Sequence, residues 1–202
     1  MARLRHRRNR SKLFPSARLA AVVLAASLAA RPADQDPVHV RNFGRVDATL
    51  YRGAEPSPVA LEELQRLGVK LIIDLRQTGA ATLRERDEAQ QLHMQYLNLP
   101  LRPMSAPSKD DVRRVLVLLE NRGSNPVFLH CWRGKDRTGT IVACYRIQHD
   151  GWPNSKALAE AKDYGMSWAE RAMRSFVAHF EPFPKGSLDP TSLAPLTASA
   201  VH

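Results

Sequence analysis

The sequence predicts an α/β fold, a mainly parallel central sheet covered by helices on both faces. Three observations carry that prediction. Short apolar runs with strand character at 69–76, 94–99 and 126–130 alternate with longer stretches of helical periodicity, the order that parallel strands and their crossovers require. The run Pro126-Val127-Phe128-Leu129 has the look of a buried strand and leads through a glycine-containing loop into Gly139-Thr140-Ile141-Val142-Ala143-Cys144, whose apolar spacing suits a helix packed on a sheet. A chain of 202 residues is long enough for one domain with a real core, plus extensions.

Each element has its own local reason. Ser57-Pro58 is a helix start, with proline in the first turn, and Gly68 is a stop. Residues 69–76 then read as a buried strand, 82–92 as a helix with charged faces, and 94–99 as a strand. Ser108-Lys109-Asp110-Asp111 resembles a capping box and opens a helix through Asn121. Residues 126–130 form the strand that feeds the loop, and helices follow at 137–149, 154–164 and 167–180. Ligands of such sheets bind beyond the carboxyl ends of the strands, where Cys131 falls. Asp74 and Arg76 end a strand on that same edge, so they either line the pocket or brace its loops.

The ends differ from the middle. Residues 1–18 hold seven Arg or Lys and no acid, and the remainder carries 23 basic against 20 acidic residues. The net charge of +10 therefore belongs mostly to the amino terminus. No zinc-finger spacing or basic-aromatic interleaving accompanies it, so a nucleic-acid partner is not expected. Leu19 to Ala30 is a run of twelve apolar or small residues, which after a basic stretch describes a signal peptide. It is shorter than the roughly 17–25 residues of a spanning helix. Cleavage after Ala29 would use Ser27 and Ala29, and an uncleaved anchor is the other reading. Residues 1–30 thus predict membrane association or export, to the periplasm or the inner membrane, with a cytoplasmic protein and a basic tail as the alternative. Residues 31–41 read as a linker, 42–182 as the catalytic domain, and 183–202 as a flexible tail. Nothing in the sequence indicates an oligomeric state.

The chemistry concentrates in His130-Cys131-Trp132-Arg133-Gly134-Lys135-Asp136-Arg137-Thr138. A loop between a strand end and a helix start aims backbone N–H groups and a helix N-terminus at one point, making an anion site. A thiol in that field favours the thiolate, so Cys131 is a candidate nucleophile for a bound phosphate. Five residues separate Cys131 from Arg137, enough chain to wrap into a cradle with the sulfur at its base. The amides of Trp132, Arg133, Gly134 and Lys135 would hold the non-bridging oxygens, and Arg137 would add a planar fork that matches two of them. Gly134 permits a tight loop, and Gly139 could let the helix approach the sheet closely. Thr138 could hydrogen-bond the sulfur as it departs, while His130 orders the loop. Lys135 offers a charge for a second phosphate or a surface ion pair.

Other readings of the segment are weaker. A lone cysteine is commonly a small buried hydrophobe, but that leaves Gly134, Arg137 and Thr138 without a reason. A nucleotide-binding P-loop fails because Leu occupies position 129 and Asp position 136. A rhodanese-type sulfur transferase is disfavoured by the cysteine-to-arginine spacing. The histidines show no metal-ligand spacing, and the chemistry calls for no metal or cofactor. Only Cys131 and Cys144 are present, so there is no disulfide framework, and Cys144 falls inside a helix as core.

The segment resembles the H-C-x5-R-[ST] signature of the cysteine-dependent protein tyrosine and dual-specificity phosphatases. Its G-K-x-R-T-G ending is similar to the atypical dual-specificity group of bacteria, plants and fungi. So are Asn42-Phe43-Gly44-Arg45-Val46-Asp47, Leu50-Tyr51-Arg52-Gly53-Ala54-Glu55-Pro56 and Leu67 to Arg76, and the likeness runs over roughly residues 40–181. The resemblance implies a cysteine phosphatase fold and hydrolysis of phosphomonoesters through a cysteinyl-phosphate. It implies a phosphorylated protein, phosphoinositide or inositol phosphate as substrate. A non-catalytic phosphate-binding protein and a membrane-tethered interaction protein are the alternatives. The chain departs from the family at one point. The Asp that typical members carry about 30 residues before the cysteine is missing from Leu97-Asn98-Leu99-Pro100-Leu101-Arg102-Pro103. Relatives with Lys-Asp-Arg in the loop have been read as using that Asp, which makes Asp136 the first choice of proton donor here. Asp110 and Asp111 are better read as helix caps.

Overall fold

A computed structural model describes residues 38–193. The expected signal or anchor at 1–30, residues 31–37 of the expected linker and residues 194–202 of the expected tail lie outside the described residues.

Five strands make one sheet in the order β1-β2-β5-β3-β4, where β1 is Gly44–Arg45, β2 Leu50–Gly53, β3 Leu71–Asp74, β4 Gln95–Asn98 and β5 Val127–His130. β2, β5, β3 and β4 run parallel, and β1 alone pairs antiparallel with β2. The mainly parallel sheet is as the sequence predicts. β1 and β2 were not predicted as strands: β1 has two residues, and β2 carries a buried arginine and a glycine that disguise its pattern.

Alternation along the strands divides the core in two. Leu50, Ile73, Val127 and Leu129 face one side with α3 (Lys109–Glu120), α4 (Asp136–His149), α5 (Asn154–Asp163) and α6 (Arg171–Ala178). Tyr51, Ile72 and Phe128 face the other with α1 (Pro58–Arg66) and α2 (Ala80–Gln91). Period-two side chains on the strands thus cover both faces with helices.

The helix starts follow their caps. Ser57 Oγ accepts the Ala60 amide at 3.2 Å before α1, and Gly68 ends the turn at φ +92°. Ser108 and Asp111 close the capping box of α3, which occupies Asp111 as the sequence suggests. α6 begins at Arg171 rather than Ser167. The reason is local: the Ser167 amide binds Asp136 Oδ1 at 2.7 Å and Ser167 Oγ accepts the Ala169 amide, so 167–170 turns before the helix can start.

Described residues on both sides of the expected domain 42–182 pack against it. At the linker end, Val40 is buried and His39 contacts Glu63. At the tail end, Phe183 and Leu188 pack on the core, and Arg113 and Asn121 donate to the Ser187 and Leu188 carbonyls. The described part of the expected tail is therefore packed chain. No described helix is long and apolar enough to cross a membrane.

Candidate active site

Gly53, His130 and Asp74 stand side by side in one row across β2, β5 and β3. The residue after His130 is Cys131, so the thiol emerges at the carboxyl edge of the central strand, only 2% exposed. From there residues 132–135 loop into the first turn of α4.

The loop's carbonyls are pinned from outside. The His130 carbonyl accepts the Leu75 amide at 2.9 Å, and the Trp132 carbonyl accepts the Glu55 amide at 3.3 Å. The Gly134 carbonyl accepts two donors, Asn42 Nδ2 at 2.8 Å and Arg52 Nη2 at 3.0 Å. In a trans peptide the C=O and the next N–H point opposite ways, and no described peptide is cis. Fixing these carbonyls outward turns the amides of Cys131, Arg133 and Lys135 to the other side. The start of α4, with no side chain capping it, adds its own free amides. The result is a cradle of donors for an anion.

Gly134 is what lets the loop close. Its φ is +67°, and a Cβ there would lie 2.4 Å from the Gly53 carbonyl carbon and 2.5 Å from the Ala54 nitrogen. A Cβ on Gly139 would meet Met166, Ala161 and, at 3.7 Å, Arg52 Nη2 of β2, so the glycine admits α5 and the following turn as well as a sheet side chain.

The other predicted residues fall around this cradle. Arg137, half-buried, donates Nη1 to the Leu75 carbonyl at 3.2 Å. Thr138 is fully buried and its hydroxyl has no partner. Asp136 opens α4 and is held by the Ser167 amide. Trp132, Arg133 and Lys135 are exposed, with Arg133 over the Trp132 ring and the Lys135 stem along Gly165. Cys144 is buried in α4, where loss of water pushes its thiol well above the ordinary value.

Asp74 and Arg76 brace the site instead of lining it. Arg76 contacts Asp74 Oδ2 at 2.7 Å, Glu85 at 2.5 Å and Glu55 at 2.5 Å, and Tyr96 also donates to Asp74. His130 Nε2 lies 2.8 Å from Glu85 Oε1. Burial opposes charge on His130, yet Glu85 and Asp74 outweigh it and raise its pKa above the ordinary value. Burial likewise opposes charge on Asp74, but His130, Arg76 and Tyr96 hold its carboxyl below the usual range. Asp74, Glu85 and His130 could group around a cation, but the Arg76 guanidinium already occupies that role.

The sequence reading missed Asn42, Arg52, Glu55, Glu85 and Glu170 as parts of the site. Glu170 is 6% exposed, accepts the Met104 amide, and has one carboxyl oxygen buried without a partner. Burial and the neighbouring Asp136 raise its pKa, with Arg137 opposing. Asn42, Arg52 and Glu55 carried a signal, as polar or charged residues inside the family-like segments 42–47 and 50–56.

Comparison with known proteins decides the family. The family model described as DSP-PTPase phosphatase fused to NAD+ kinase matches residues 35–179. The chain belongs to this family. It is 33% identical over 129 residues to the dual specificity protein phosphatase TpbA of Pseudomonas aeruginosa, covering 61% of this chain and 55% of that one. The chain thus spans about half the length of that relative. It is 30% identical over 147 residues to inositol diphosphatase DSP3 of Arabidopsis thaliana, covering 69% of this chain and 70% of that one. The crystal structure of P. aeruginosa TpbA in complex with phosphotyrosine superposes with a TM-score of 0.61 at 28% identity, over 73% of this chain and 93% of that chain. The atypical dual-specificity phosphatase resemblance and the cysteine phosphatase fold both hold.

Proposed function

We propose that this chain is a cysteine-dependent phosphatase that hydrolyses phosphomonoesters. The observation that carries the reading is Cys131 at the end of β5, opening a loop whose carbonyls are tied to neighbouring donors and which leads into the first turn of α4, where Arg137 sits. Cys131 Sγ attacks phosphorus in line and the P–O ester bond breaks. The loop amides and Arg137 balance the charge on the equatorial oxygens. Asp136 gives a proton to the leaving oxygen. Its carboxylate then takes a proton from water as that water attacks the cysteinyl-phosphate. The P–S bond breaks, phosphate leaves, and Thr138 supports the departing thiolate.

Substrates of two kinds fit this chemistry, a phosphomonoester and a diphosphate, where the P–O bond broken is that of the phosphoanhydride and the leaving group is a phosphate oxygen. A phosphotyrosine side chain suits a likeness to TpbA, and an inositol diphosphate suits a likeness to DSP3. Lys135, beside the cradle and exposed, offers a charge to a second phosphate of the latter. Residues 1–30 are read as an export signal or membrane anchor, from their basic start and apolar run. Fractionation of cells producing the full chain with a carboxyl-terminal tag tests that assignment: recovery with cytosol, at full mass, would refute it.

Phosphate release by the full chain under reducing conditions tests the function, on a phosphotyrosine peptide and on inositol pyrophosphates. Turnover that disappears in Cys131→Ser is the expected result. Turnover that survives the substitution, or no turnover with phosphate compounds still bound, would overturn it in favour of a binding or interaction protein.

A further inference from the structure

Arg52 is the largest fully buried side chain in the described residues, and it lies under the phosphate loop. β2 carries it into the sheet at the position before Gly53. Its Nη2 donates to the Gly134 carbonyl, and a Cβ on Gly139 would stand 3.7 Å from that same nitrogen, which puts the guanidinium against the first turn of α4. Its plane lies over the Tyr164 ring, 3.9 Å from the centroid. Asn42 completes the clamp, donating to the carbonyls of Gly134 and Tyr164.

The cation is poorly answered by protein. Nε and Nη1 are buried without a partner, and no carboxylate pairs with it, among the described residues. Glu160 attracts it from a distance but is itself engaged by Arg146 at 2.9 Å, and Arg146 repels it. Burial pulls the guanidinium down to about 10, against attraction from Tyr164, Glu160 and Cys131. A buried charge without a partner is costly, and a protein retains one where something else compensates it. Cys131 stands two residues beyond Leu129, the register partner of Arg52 on β5, at the carboxyl end of the same strand pair.

We infer that Arg52 is a positioning residue of the phosphate loop: through Gly134 it turns the Lys135 amide into the cradle, and its unpaired buried charge holds the Cys131 thiolate and the bound phosphoryl group. This rests on Cys131 being the nucleophile. Arg52 touches neither sulfur nor substrate; it acts through the loop backbone and through its field. The free enzyme then carries an excess positive charge behind the loop, which an oxyanion relieves.

The test uses the full chain with Cys144→Ala, leaving one thiol, and compares Arg52 with Lys, Gln and Met substitutions. Two readouts need no turnover: the rate of Cys131 alkylation by iodoacetamide at pH 6, and the affinity for orthovanadate. Loss of the charge is expected to slow alkylation about tenfold or more and to weaken vanadate binding by a similar factor, in Gln and Met alike. Lys keeps the charge and is expected to stay within about threefold. A merely structural role would loosen the loop and leave alkylation equal or faster. Folded Gln or Met variants with alkylation and vanadate binding unchanged would overturn the inference, as would an Arg52→Lys chain that loses both as fully as Met. Failure of all three variants to fold would make Arg52 a core residue and overturn it too. A wild type that alkylates and binds vanadate but releases no phosphate would sink the phosphatase reading while leaving this comparison intact.

Discussion

His130 Nε2 and Glu85 Oε1 stand 2.8 Å apart, both side chains buried, with His130 one residue before Cys131. Glu85 arrives from α2 and also holds Arg76, so one carboxylate joins two strand ends to a helix. Its partner's raised pKa has a sign that can be tested. A histidine raised in the folded state contributes stability that is complete below its unfolded value, about 6.5, and is lost as pH rises through the folded value. Denaturant unfolding is therefore expected to show stability falling from about pH 6.5 upward. Glu85→Gln is expected to remove that slope and to cost about 3 kcal/mol at pH 6 by breaking a buried pair.

Gly134 and Gly151 have nearly the same φ, +67° and +66°, but not the same surroundings. Around Gly151 a Cβ would meet nothing within 4 Å, whereas at Gly134 it would strike the backbone of Gly53 and Ala54. Gly151→Ala should cost only the left-handed penalty, about 1 kcal/mol, and leave turnover alone. Gly134→Ala must also push the loop off β2, and a displacement near 1 Å at such a site costs about a hundredfold in rate. Melting temperatures and kcat/KM measured on the two variants separate strain from misplacement.

The proton donor can be read from leaving groups. A nitrophenolate departs without help, whereas an alkoxide needs a proton in the transition state. Asp136→Asn is expected to cut turnover of an alkyl phosphate by about 10²–10⁴ and that of nitrophenyl phosphate by less than about tenfold. Equal losses on both would remove Asp136 from the acid role.

Much of this was legible in the chain because its causes are local. The Ser57 and Ser108 caps, the strand before Cys131 and the cysteine-to-arginine loop all follow from residues a few positions apart. What the sequence hid depends on long-range contact. Arg52 reaches Gly134 across 82 residues, and a charged residue in a four-residue strand reads locally as loop. Glu85 reads as part of a charged helix face until the fold brings His130 and Arg76 to it. Glu170 sits where periodicity continues a helix back to Ser167. The bond from the Ser167 amide to Asp136 breaks that helix and brings Glu170 to the loop.

Glu170 gives the same sign as His130 by the opposite route, since here the charged form is the one the fold disfavours. Burial and Asp136 raise its pKa, so the folded state prefers it protonated. An acid raised on folding makes stability fall as pH climbs from its unfolded value, about 4.3, through the folded one, because ionising it costs more inside than outside. The Met104 amide and Arg137 oppose that cost without cancelling it. Glu170→Gln removes the charge while keeping the shape. It is expected to raise the melting temperature at pH 7 and to flatten the slope that begins above about pH 4.3. The carboxylate's bond to Met104 also ties the 100–108 loop to the start of α6, and an amide oxygen holds that bond more weakly. Amide hydrogen exchange at Met104 should therefore quicken in the same variant that melts higher. A variant that melts lower, with Met104 exchange unchanged, would mean that the ionised carboxylate stabilises the fold and that the loop is held by something else.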